Sequence, residues 1–131
     1  MRTRLFVARV PGEPVPKGRP RVGVNGTFSP KRTKEAENKI AWSVKDILIN
    51  RAHRFPDGES RFFVKLTFSS RKLIGNRNAP DLDNCIKLVG DALNGVVWED
   101  DIQIAGIEAT IERDLDYEPM TLIEVFIEEE S

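Results

Sequence analysis

A single α+β domain, with two helices packed on one side of a mixed, mainly antiparallel sheet, is what this 131-residue sequence predicts. Three observations carry that reading. Apolar residues alternate at period two in some segments and recur at helical spacing in others. These segments follow one another as β-α-β-α-β-β. The length suits one core spanning residues 1–131 and is short for two typical domains.

The first element, residues 5–10, is a short apolar run expected to form a strand buried on both faces. Residues 11–25 are dense in Pro, Gly and basic side chains. The prolines remove donors and push their predecessors to extended geometry, so this stretch is an ordered loop or a basic arm, not a helix. Ser29 is a natural N-cap, and Pro30 suits the first helical position. Ala36, Ile40, Val44, Ile47 and Leu48 then mark a core-facing helical stripe. A polar connection over residues 51–59 turns at Pro56-Asp57-Gly58. Phe62, Val64, Leu66 and Phe68 alternate with Phe63, Lys65, Thr67 and Ser69 as a half-buried strand. A second basic loop, 71–79, follows.

Pro80-Asp81 opens a second helix that carries Ile86, Val89, Gly90 and Leu93 and closes at Asn94-Gly95. Ile102 and Ile104 then alternate, and the phase slips at Ala105-Gly106 to Ile107, Ala109 and Ile111. A one-residue slip at a glycine predicts a β-bulge. The last strand spans residues 121–128, with Ile123, Val125 and Ile127 on one face. Trp42 and Trp98 are expected in the core.

Composition narrows the function. Cys85 is the only cysteine, so an intrachain disulfide and a structural Cys zinc site are excluded, and His53 is the only histidine. Cys85 itself reads as a small buried hydrophobe. No apolar stretch is long enough to span a bilayer, so no membrane role and a reducing cytoplasm are expected. The net charge of −1 conceals a split: residues 1–79 hold 18 bases against 6 acids, whereas residues 80–131 hold 2 bases against 15 acids. Charge asymmetry of this kind points to a polyanion partner, or to opposite charges pairing inside one fold.

The chemistry gathers in one acidic stretch: Asp81-Leu82-Asp83-Asn84, Lys87, and Trp98-Glu99-Asp100-Asp101. Asp81 and Asp83 stand where extended chain meets helix, and free N–H groups there favour negative charge. Lys87 lies one turn beyond Asp83 on the same face. A hairpin-like return over residues 95–99 is expected to bring Asp100 or Asp101 beside the first pair. Three carboxylates of this kind suit Mg²⁺, a hard ion that prefers oxygen donors. Simpler roles stand beside this one: Asp81 as a helix cap with Asn84 as its partner, Asp83–Lys87 as a surface pair, and residues 99–101 as a solvated turn. An EF-hand is excluded, since Ile86 and Ala92 occupy its required Gly and Glu positions. Lys17, Arg19 and Arg21, alternating on an extended chain, and Arg71, Lys72 and Arg77 just ahead of the acids are candidate contacts for DNA phosphates.

The Asp81-Leu82-Asp83-Asn84 motif, Lys87, Asp91-Ala92-Leu93 and Trp98-Glu99-Asp100-Asp101-Ile102-Gln103 together resemble the RusA-like Holliday junction resolvases. The segment Pro14-Val15-Pro16-Lys17-Gly18-Arg19-Pro20-Arg21, with Ser29-Pro30, resembles the phage or prophage branch of that family. The resemblance implies a homodimeric endonuclease, dependent on Mg²⁺ with Mn²⁺ as a substitute, that cuts four-way DNA junctions by paired symmetric nicks. It places catalytic and metal-binding roles on Asp81, Asp83 and Asp101, and an essential lysine on Lys87. Asp100 matches the neighbouring acid, a further candidate metal ligand. The contrasting reading is a non-catalytic DNA-binding phage protein whose acids are structural.

Overall fold

The alternating segments assemble into one four-stranded mixed sheet in the order β1-β4-β2-β3. The structure, a computed structural model, describes residues 1–18, 30–113 and 116–129. Chain order is β1 (Arg2–Pro11), α1 (Pro30–Leu48), β2 (Phe62–Ser69), α2 (Leu82–Leu93), a 3-10 turn (Asp101–Gln103), β3 (Ile104–Glu112) and β4 (Met120–Glu128). This is the predicted β-α-β-α-β-β succession. Ser29, the expected cap of α1, lies outside the described residues.

β4 pairs antiparallel with both β1 and β2, and β2 pairs parallel with β3. Paired residues share a face, so the register groups Phe6, Ala8 and Val10 with Ile123, Val125, Val64, Leu66 and Phe68 on the inner side. Against that side lie α2, through Cys85, Leu88, Val89 and Leu93, and α1, through Ile40 and Val44. The two helices also pack on each other. Period-two and period-3.6 patterns thus meet in a single core. The predicted slip is present: Ile104 pairs with Phe62 and Gly106 with Phe63, which leaves Ala105 as the extra residue of a bulge.

Two expectations fail. β1 is an edge strand buried along one face only, because β4 covers one flank and both helices lie on the same side. Its outward residues Arg4 and Arg9 remain exposed. Trp42 is not in the core; it stands 72% exposed on the outer face of α1, between the turns that supply Ile40 and Val44.

The parallel pairing of β2 with β3 positions the acids. Parallel neighbours need a crossover, and here α2 makes it, running back from the end of β2 to the start of β3. Whatever precedes α2 therefore sits at one end of the sheet, and whatever follows it sits at the other.

Candidate active site at the two ends of helix α2

At the start of α2, Asp81 keeps extended backbone and its side chain caps no helical N–H. Its carboxylate instead accepts Nδ2 of Asn84 at 2.6 Å. Asp81 thus holds the N-cap position with Asn84 as its expected partner, but the bond runs side chain to side chain, because the buried Asn84 amide needs an acceptor. Burial pushes the Cys85 thiol up to about 12, and the fields of Asp81 and Asp83 push the same way against Arg113. The cysteine is inert, and its environment records that both aspartates and the guanidinium share one neighbourhood. Lys87 stands exposed one turn further along.

Arg113 went unrecognised in the sequence. It ends the segment after β3, donates Nη2 to the Pro80 carbonyl at 2.7 Å, and ties the start of α2 to the sheet. Its Nη1 is buried with no acceptor among the described residues. The available signal was its rarity, as one of two bases in the acidic half.

At the other end, Gly95 (φ +79°) turns the chain out of α2, a left-handed position that glycine adopts without strain. Trp98 follows, 1% exposed and packed on Phe62 at 5.6 Å between ring centroids. This anchor holds the acidic turn. Asp100 caps the 3-10 turn, accepting the Ile102 N–H at 3.0 Å. Gln103 uses all four hydrogen bonds of its amide. Its Oε1 accepts the N–H groups of Glu99 and Asp100 at 3.0 and 3.1 Å, and its Nε2 donates to the carbonyls of Asp57 and Ser60 at 2.7 and 3.1 Å. Asp101 is exposed, and no hydrogen bond occupies its carboxylate among the described residues.

The loop that Gln103 grips is organised by Asp57. Burial alone would raise this carboxyl, but the Ser60 hydroxyl, the N–H groups of Glu59 and Ser60, and His53 at 2.7 Å together hold it well below the usual carboxylate range. A carboxyl depressed on folding contributes stability above its unfolded value near 4, and that contribution drains as pH falls further. The melting-temperature gap between wild type and Asp57→Ala should therefore be full at pH 7 and shrink markedly by pH 3. A gap independent of pH would show that the carboxylate is not what stabilises the loop.

The two acidic groups do not converge within one chain. The 12 residues of α2 separate Asp81 from Asn94, a span of roughly 20 Å at 1.5 Å per residue. The strand path agrees: Pro80 is bonded beside the end of β3, whereas Asp101 immediately precedes its start. The return over residues 95–99 is a tight turn anchored at the far end, not a hairpin back to Asp81. Among the described residues, no three His, Cys, Asp or Glu side chains gather as a metal site.

Of the basic candidates, Lys17 pairs with Asp91 of α2, and its N–H bonds the Asn84 carbonyl at 2.9 Å, so this segment lies along α2. Arg19 and Arg21 fall outside the described residues. Arg71 reaches Glu118 at 3.1 Å and the Tyr117 carbonyl, and Lys72 reaches the Asn78 carbonyl at 3.3 Å. Arg77 is exposed in the same loop. With Arg4–Glu124 and Arg61–Glu128, these pairs spend part of the charge split inside the fold.

A family model described as endodeoxyribonuclease RusA matches residues 11–128. The chain belongs to the RusA family. No curated protein sequence matches it. RusA membership makes it an endodeoxyribonuclease of a family that acts on branched DNA junctions. The matched region includes the acids at both ends of α2, the anchors Trp98 and Gln103, and the basic loops. Among the described residues, no helix is long and apolar enough to cross a membrane.

Proposed function

We propose that this RusA-family chain is a Mg²⁺-dependent, structure-selective endonuclease that resolves four-way DNA junctions by paired symmetric nicks, and that it does so as a homodimer. The observation that carries the reading is the location of Asp81 and Asp83 at one end of α2 and Asp101 at the other. Ligands of one Mg²⁺ must place their oxygens about 2.1 Å from the ion, and roughly 20 Å of crossover forbids that in a single chain. A two-fold axis resolves the conflict by laying the Asp81–Asp83 end of each copy against the Asp101 end of the other. It generates two equivalent sites, as two symmetric nicks require.

The donor set fits the metal chemically: Asp81, Asp83 and Asp101 offer only carboxylate oxygens, the donors a hard ion prefers, and the neighbouring Cys85 is a buried thiol whose burial disfavours the thiolate. Asp81, Asp83 and the partner copy's equivalent of the Asp101 end would hold it; Mn²⁺ should substitute. When bound, the ion would supply an activated water and offset charge on the leaving oxygen. The chain's own residues do the rest. Asn84 fixes the orientation of the Asp81 carboxylate, and Arg113 pins the backbone on which Asp81 sits. Lys87, exposed one turn from Asp83, would hold the scissile phosphate and meet charge that grows on it in the transition state. Lys17, Arg19, Arg21, Arg71, Lys72 and Arg77 would contact phosphates of the junction arms without reading sequence.

The test compares cleavage of a synthetic four-way junction and a linear duplex of the same sequence, with and without Mg²⁺. Wild type should nick the junction at paired positions in Mg²⁺ only and leave the duplex largely intact. Asp83→Asn should lose cleavage by on the order of a hundredfold or more while still binding junction. Wild type that binds junction but shows no metal-dependent nicking would leave the non-catalytic DNA-binding reading in its place.

A further inference from the structure

We propose that the carboxyl-terminal end of α1 forms an additional DNA-contacting surface, in which Lys45, Arg51 and Arg54 hold strand phosphates and Trp42 stacks on an unpaired base. The occupant rests on the chain's being a DNA enzyme; the surface itself rests on its own geometry.

A groove of about 630 Å³ opens between the end of α1, the loop after it and the Gly95-Val96 turn. Lys45, Arg51 and Arg54 rim it, over an apolar floor of Leu48, Phe55 and Val96. None of these three cations has a carboxylate within 4.0 Å among the described residues, in contrast to Arg4, Lys17, Arg61 and Arg71. Lys45, in the last turn of α1, also complements the helix dipole, but Arg51 and Arg54 lie beyond the helix and have no such explanation. The carboxylate in the loop beyond, Asp57, is already engaged by Ser60 and His53. The groove is therefore a concentration of unpaired positive charge, the footprint of a polyanion.

Trp42 gives the surface its second component. It lies three residues before Lys45 on the same helical stripe, with the Lys45 ammonium 6.0 Å from its ring centroid, and Ile49 continues the stripe at 77% exposure. Aromatic platforms beside a cationic groove are how proteins hold unstacked bases, because every base offers a π-face. The point of strand exchange in a four-way junction is where bases are most readily unstacked. The groove also leads toward the acidic turn, since Gln103 bonds both the Asp57 and Ser60 carbonyls of the adjoining loop. A strand lying in the groove would border the loop that Gln103 ties to the acidic turn.

The chain's two tryptophans make the test direct: Trp98 is buried, so DNA-dependent changes in emission report on Trp42. Junction is titrated into wild type without divalent metal while emission and anisotropy are read over a range of salt. Emission should fall in step with binding. Trp42→Phe should lose that signal yet bind within about threefold of wild type, and Trp42→Ala should bind more weakly than Trp42→Phe. The Lys45→Ala/Arg51→Ala/Arg54→Ala variant should bind at least about tenfold more weakly at 0.1 M salt, with a salt slope smaller by about 2 to 3. Unchanged emission on binding, or an unchanged slope in the triple variant, overturns the proposal. So does a triple variant that changes only its oligomeric state, which would make the groove a contact between copies. Wild type that nicks junctions with steady emission sinks the groove alone; wild type that is quenched but never nicks sinks the nuclease reading and leaves the groove.

Discussion

Mixing Asp83→Asn chains with Asp101→Asn chains, each inactive alone, should restore DNA nicking. If the acids at opposite ends of α2 meet only across a two-fold axis, a mixed dimer contains one site carrying both substitutions and one carrying neither. With free exchange, half the dimers are mixed and each has one working site of two, so total nicking should recover to about a quarter of the wild-type rate. The product distinguishes the reading further. Mixed dimers should release a nicked junction and not two resolved duplexes, because the second strand faces the damaged site. Failure to recover activity after exchange between the chains has been verified would remove the shared-site arrangement, whatever else the enzyme does.

Asp101→Asn and Asp100→Ala should separate cleanly, although the two residues are neighbours. The Asp100 carboxylate is occupied by the Ile102 N–H and caps the 3-10 turn. Losing it should cost about 1 kcal/mol. For a domain of this size the melting temperature should then fall by about 3–5 °C. Most cleavage should survive. Asp101 is exposed and no hydrogen bond holds its carboxylate among the described residues, so Asp101→Asn should leave the melting temperature in place while lowering junction cleavage by on the order of a hundredfold or more. The reverse outcome, with Asp100 essential and Asp101 dispensable, would assign the ligand to the capping residue. Circular dichroism melts and a junction-cleavage time course decide it.

The pattern of apolar residues made most of the fold legible. Phe62 to Phe68, the slip at Gly106 and the stripe on α1 all report a local period that the tertiary structure keeps. Strand neighbours were not legible, because sequence periodicity records which side faces the core but not which strand lies alongside. That is why β1 read as doubly covered, and why the parallel β2–β3 pairing was unforeseen. The convergence of the acids failed for the same reason: adjacency in sequence suggested a hairpin, and a parallel crossover carried the second group to the far end. Trp42 departs from expectation because a large aromatic within a helix is usually core, and base stacking would account for its exposure on the proposed groove. Gln103 and Arg113 were hidden differently. Their roles consist of hydrogen bonds to backbone groups, which neither the Trp98–Gln103 motif nor the rarity of Arg113 specifies.

The crossover made by α2 also acts as a spacer. Its length is set by the sheet it must traverse, so the chain cannot draw its own acids together without giving up the parallel pairing of β2 with β3. On the proposed reading, each isolated chain carries two half-sites and no weapon. At low abundance, cutting should rise with the square of protein concentration, and dilution alone should render the enzyme harmless to ordinary duplex. The fold would thus write into a single helix both a safety catch and the rule that two strands are cut together.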